Sequence, residues 1–265
     1  MRDMSFRSNF LIECVSSMSW VLMNLGFYLL IFQFTTEIGE GTGWGKYEFF
    51  VFLATTMLVN SVVQAFFMPN AQEFSELIRT GNLDFALLKP IDTQFLISLH
   101  RVDWSALSNF AVGMLLLVFS ALQLTQRSVD PLQVTPSLIA SYVFFVSCGI
   151  AIMYSVMISL SATSIWLGRN QTLYNFWFYL TNFSRYPMEI YRGPMGAPLR
   201  YFFTFVIPVL VVVNVPARIM AYPISDGREH YLALAAFAVF ATIFSLIASR
   251  WVFFRALGSY RSASS

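Results

Sequence analysis

The stretch GEGTGWGK, residues 39–46, is the nearest this chain comes to a phosphate-binding loop. Such a loop needs G-x-x-x-x-G-K-[ST], so that backbone N–H groups and the lysine cradle phosphates while a hydroxyl holds magnesium. Here the first glycine is one residue out of register, and Tyr47 stands where the hydroxyl belongs. The segment reads as a flexible turn, and nucleotide binding by this route is excluded. His100 and His230 are isolated and read as interfacial side chains. Cys14 and Cys148 have neither CxxC spacing nor histidine companions, so they point to small buried side chains rather than a metal site or a disulfide. Asp, Glu and His form no cluster of the kind an intramembrane hydrolase needs. The expectation is a non-catalytic protein without metal or cofactor.

The elements that carry these residues are set by composition. Of 265 residues 57% are apolar and 11% charged, and 28 are Phe. An average globular domain carries about 25% charge. The net charge of +2 gives no reason to expect nucleic acid as a partner. Several windows approach the roughly 20 apolar residues that cross a bilayer. The sequence therefore predicts one all-α polytopic domain over residues 1–265 with six transmembrane helices. Five apolar segments are clear: 15–34, 49–67, 106–125, 137–165 and 231–254. The region 172–222 is broken by SRYPMEIYRGPMGAP and leaves the fifth crossing open. Either 199–222 crosses, or 172–186 crosses and 187–222 is an outer re-entrant segment. Irregular backbone of that kind is tolerated at membrane depth only where protein covers it. Arg2 and Arg7 precede the first run as in a signal peptide, but no small-residue cleavage site follows, so an uncleaved first span is expected.

Lys and Arg mark the inner side. Arg2 and Arg7, then Arg79, Lys89 and Arg101, then Arg250, Arg255 and Arg261 fall on one side of the proposed spans. The first loop has only Lys46 beside three Glu, and the third only Arg127. Both termini and the loop 68–105 are thus expected to be cytoplasmic. With 199–222 as the crossing, Arg169, Arg185, Arg192 and Arg200 also fall inside. Residues 5–17, SFRSNFLIECVSS, place Phe6, Phe10, Leu11 and Cys14 at helical spacing away from Arg7 and Glu13. They predict an amphipathic interface helix over 1–17.

Spans one to four and six carry no mid-membrane charge. What remains is neutral: Asn24, Asn60, Gln64, Asn109, Gln123 and Asn214. Such amides join helices by hydrogen bonds worth about 0.6–2 kcal/mol. Asn24, Asn60 and Asn109 are also candidates for a translocation path. Ion-driven transport would call for retained carboxylates, so any work done here draws on energy from outside the membrane core.

The loop 68–105 is more ordered than a solvated connection. In NAQEFSELIRTGN, Phe74, Leu77 and Ile78 recur at i, i+3 and i+4, with Glu73, Glu76 and Arg79 turned away. Gly81 is placed to stop that helix. LDFALLKP follows, carrying Asp84 and Lys89, and Asp92 is placed to cap the next helix. These apolar faces rest either on the lipid interface or in a groove of a soluble partner.

The run IRTGNLDFALLKPIDTQF resembles the second-loop signature of permease subunits of bacterial type-2 ABC exporters. SRYPMEIY at 184–191, VIPVLVVVNVPARIM at 206–220 and RWVFFRALGSYRSAS at 250–264 agree. The resemblance covers nearly the whole chain. It implies a half-transporter in the bacterial inner membrane, with an interface helix, a cytoplasmic coupling helix and an outer re-entrant segment after the fifth crossing. It also implies partners: separately encoded ABC ATPase subunits, a second permease and membrane lipid. The coupling contacts would come from Glu73, Phe74, Glu76, Leu77, Ile78, Arg79, Gly81, Asp84 and Lys89, with Leu77 and Ile78 as packed anchors. A non-transporting membrane scaffold is the alternative reading.

Overall fold

A computed structural model of the chain describes residues 7–39, 41–128, 130–167, 171–222 and 229–260. Arg2, Phe6, Arg169 and Arg261 lie outside the described residues, as do the side chains of Arg7, Phe10, Leu11, Glu13, Cys14 and His230. Among the described residues the protein is helical, with one isolated bridge between Glu37 and Gly45. It is an all-α polytopic membrane protein. Among the described residues four helices are each long and apolar enough to cross a bilayer alone: Lys46–Thr80, Leu107–Thr125, Pro136–Leu167 and Leu232–Ser259.

Helix α1 (Arg7–Phe34) runs 28 residues without a break. The stretch expected to lie along the membrane surface therefore runs directly into the first apolar segment. The residues where they meet, SSMSW, include neither Gly nor Pro, so no local signal stops the helix. Helix α2 (Lys46–Val62) continues through a π-turn (Val63–Phe67) into α3 (Met68–Thr80). These 35 residues form one rod of about 52 Å. The hydrocarbon core is about 30 Å thick, so roughly 20 Å of the rod project beyond it.

Short helices α4 (Leu83–Leu87) and α5 (Thr93–Ser98) complete the loop and lead into α6 (Leu107–Thr125). Then come α7 (Pro136–Leu167), α8 (Gln171–Phe183) and a 3-10 turn (Met188–Ile190). Helix α9 (Gly193–Tyr201) with its terminal π-turn, α10 (Val209–Ala221) and α11 (Glu229–Ser259) finish the chain.

The core lies between α2, α6, α7 and α10. Gly113 lets α6 approach α2, since a Cβ there would meet Met57 Cβ at 3.1 Å. Small residues serve this purpose in membranes, where lipid tails are as apolar as leucine and close packing has to hold helices together. The buried Thr55 and Tyr142 hydroxyls join α2 to α7 at 2.9 Å. Outward, Met23 and Phe27 on α1, Leu115 and Leu122 on α6, and Phe240 and Ile247 on α11 are exposed. Water would penalise such continuous apolar faces, and lipid accepts them.

The segment left open by the sequence bends by 87° between Gly193–Val206 and Val209–Ala221. Pro208, which has no N–H to donate, sits at the break. Helix α10 is buried along almost its whole length, as irregular or broken helix at membrane depth requires. Glu189, which precedes α9, meets Arg218 near the end of α10 at 2.5 Å. The chain between them bends so that its two ends lie together. Ser164 of α7 meets Ser75 at the opposite end.

Candidate functional site

The loop between α2 and α6 is closed at its base by Asn70, a residue the sequence reading passed over. Its amide donates to the Phe66 and Arg101 carbonyls at 2.5 and 2.8 Å and accepts from the Arg101 N–H at 2.7 Å. The two ends of the loop are thereby held together through a buried side chain.

Helix α3 has the apolar stripe its periodicity predicts, but the stripe faces inward. Phe74 is 1% exposed and packs on Phe253 of α11 with ring centroids 5.7 Å apart. Ile158 and Ala162 of α7 and Ala256 of α11 join the same cluster, and Leu77 and Ile78 rest partly buried on it. The protein's own helices thus cover Phe74 and part of the Leu77 and Ile78 side chains, which stay half-buried. On the opposite face Glu76 and Arg79 pair through two hydrogen bonds of 2.9 and 2.5 Å, both exposed. Glu73 forms an ion pair with Arg101 at 2.9 Å and lies 3.5 Å from His100. Gly81 ends the helix in the left-handed conformation at φ +73°, its N–H returning to the Ile78 carbonyl at 3.2 Å. That geometry favours glycine.

Beyond Gly81 the chain presents what α3 does not. Leu83 and Ala86 are buried and Asp84 half-buried, while Phe85 is 69% and Leu88 81% exposed. Ile91 and Phe95 are also exposed, beside the solvated Lys89. A cavity of about 300 Å³ opens here, lined by Glu73, Leu77, Phe85, Lys89, Leu96 and His100 among others. Of the residues singled out by sequence, Glu73, Phe74, Leu77 and Lys89 converge on this cavity. Asn24, Asn60 and Asn109 do not, and stand half-buried on α1, α2 and α6.

Asp92 caps α5 as expected, accepting from the Phe95 N–H at 3.0 Å. It also receives Arg250 of α11 at 2.6 and 3.3 Å, a contact across 158 residues with no local signal. Gln94 and Ser98 both reach the Tyr154 hydroxyl of α7, at 3.1 and 2.8 Å. The Arg250 guanidinium, and then the Phe95 N–H, hold the Asp92 carboxyl below the usual carboxylate range. A depressed folded value means the contribution is full above the ordinary range and is lost as pH falls through the lowered one. Amide protection in α5 is expected to be flat at neutral pH and to weaken only below about pH 4, read by hydrogen exchange.

A second polar cluster sits at the opposite end of the bundle, and the sequence reading missed it. Glu189 and Arg218 side chains are each only 10% exposed. Trp44, fully buried, donates its indole N–H to the same carboxylate at 2.8 Å, and the Arg218 guanidinium lies 4.8 Å over its ring. Tyr222 donates to the Gly43 carbonyl. Asn214 accepts from the Met188 N–H at 2.9 Å and so pins the 3-10 turn to α10. The glycine-rich stretch 39–46 thus serves as one wall of a packed cluster. Gly41 and Gly43 donate to Glu37 at 2.6 and 2.8 Å.

A family model described as ABC-2 family transporter protein matches residues 18–264. No curated protein and no solved structure matches the chain.

Proposed function

We propose a function for this chain from the family to which it belongs, the ABC-2 transporter proteins: it is a permease half-transporter powered by a separate ATPase. The family makes it a transport component of an ABC transporter and a multi-pass membrane protein that associates with ABC ATPase subunits. The finer reading is that of an exporter of the bacterial inner membrane, working with a second permease, identical or homologous. ATP is hydrolysed by the partner, and this chain supplies no catalytic group. Both termini and the loop 68–105 face the cytoplasm. Arg79, Lys89, Arg101, Arg250 and Arg255 at that end of the bundle support the orientation.

One observation carries the proposal. A rod longer than the membrane is thick leads into a segment on which Phe85, Leu88, Ile91 and Phe95 are exposed, Phe85 lining a cavity, while the loop behind them is fastened to α7 and α11. An apolar patch beyond the bilayer calls for a protein to cover it. The rigid seat means that a push there moves spans rather than a slack loop. Closure of the ATPases on ATP drives the switch between inward- and outward-open states through their different affinities for the nucleotide.

The test is Leu88→Glu, with co-purification of the ATPase as readout. Association is expected to fall at least about tenfold, as when a hot-spot side chain is lost, with the thermal unfolding midpoint unchanged. Undiminished association would place the interface elsewhere and favour a lipid-resting loop or a scaffold.

A further inference from the structure

Resting on the permease reading, we propose that α7 carries the displacement of the cytoplasmic loop to the buried half-helix α10, and that Gly149 is the positioning residue at their contact. The loop is joined covalently to α2 and α6, yet its side chains grip α7. Tyr154 holds α5 through Gln94 and Ser98, and Ser164 meets Ser75 of α3 at 3.4 Å. Phe74 packs into the cluster that contains Ile158 and Ala162.

Five residues before Tyr154, about 7.5 Å along the axis, α7 reaches α10. A Cβ on Gly149 would stand 2.6 Å from the Val212 carbonyl oxygen and 3.0 Å from its Cγ1. Backbone meets backbone there, with no flexible side chain to absorb a shift. The Val212 carbonyl is also the one that Pro216, four residues on, cannot satisfy, since proline has no N–H. The far end of α10 is tied through Arg218 to Glu189, whose carboxylate also takes the Trp44 indole. A shift of α7 along its axis therefore acts on α10, and through it on the bent segment opposite the loop. Close-packed contacts of this kind move as units between discrete arrangements.

Adjacency alone does not establish energetic coupling, so the test reads motion at a distance. The full chain is reconstituted with the ATPase that co-purifies with it, in lipid nanodiscs, in a Cys14→Ser, Cys148→Ser background. Spin labels replace Phe34 and Met195, which are 80% and 90% exposed. Pulsed EPR distances are compared without nucleotide and with ATP and vanadate. The parent complex is expected to populate a new distance with nucleotide. Gly149→Ala is expected to keep ATPase binding and hydrolysis within about twofold while the shifted population falls about fivefold.

A full shift in Gly149→Ala overturns the proposal and leaves the permease reading standing. Absence of a shift in the parent overturns the permease reading and the proposal with it. Should Gly149→Ala fail to assemble, Tyr154→Phe removes the hydroxyl contacts to α5 but keeps the ring on Phe67. It is expected to lower the shifted population as well, and a full shift there overturns the proposal equally.

Discussion

Glu189→Gln is expected to destabilise the protein by about 3–5 kcal/mol, because it leaves a buried guanidinium without its carboxylate. Arg218 and Glu189 meet at 2.5 Å with both side chains 10% exposed, so water cannot replace the lost partner. The Trp44 indole N–H keeps an acceptor in the amide oxygen, and the cost is therefore mostly that of separating the Arg218 charge from its carboxylate. Glu189→Met combined with Arg218→Met removes both charges at similar volume. Replacements of that kind are often neutral or stabilising, so the double variant is expected to be markedly more stable than either single one. Equilibrium unfolding in a mild detergent, run as a double-mutant cycle, measures the difference. A double variant as unstable as the sum of the singles would mean that the pair contributes through packing and not through charge.

The second large effect is expected at Phe74. Phe74→Ala removes a side chain that is 1% exposed and packed on Phe253, Ile158, Ala162 and Ala256. Truncation of a core phenylalanine costs about 3–5 kcal/mol, the transfer term plus the cavity left behind. The ring pair with Phe253, at 5.7 Å between centroids, is expected to show a coupling of about 0.5–1.5 kcal/mol in a cycle with Phe253→Ala. Because Phe74 faces the protein's own helices, Phe74→Ala should loosen the loop from α7 and α11, read as faster amide exchange in α3 and α5. Leu88→Glu, 14 residues along the same loop, should leave that exchange unchanged and act only on partner binding. Equal loosening by both variants would show that the exposed patch belongs to the protein's own fold.

What could be learned without coordinates came from local physics. Runs of apolar residues near bilayer length identify the spans because a backbone in lipid must satisfy its own hydrogen bonds, and a helix does so within the segment. Gly81 ends α3 and Asp92 begins α5 for reasons contained in a few residues: freedom at positive φ, and a carboxylate within reach of an N–H three positions on. Likewise the sequence alone shows that Phe74, Leu77 and Ile78 form one apolar face. It does not say what covers that face, since lipid, a partner and the chain's own last helix present the same apolar chemistry. Only the tertiary structure decided for Phe253, and so moved the open surface to Phe85 and Leu88. The contacts between Arg250 and Asp92, 158 positions apart, and between Trp44 and Glu189, 145 apart, leave no periodic trace. An ion pair needs two charges at one point in space, and spacing along the chain constrains that point only within a helix. The region 172–222 follows the same rule: residues 199–222 have the apolar content of a span, and only the contact between Arg218 and Glu189 reveals that the chain bends until those two residues meet.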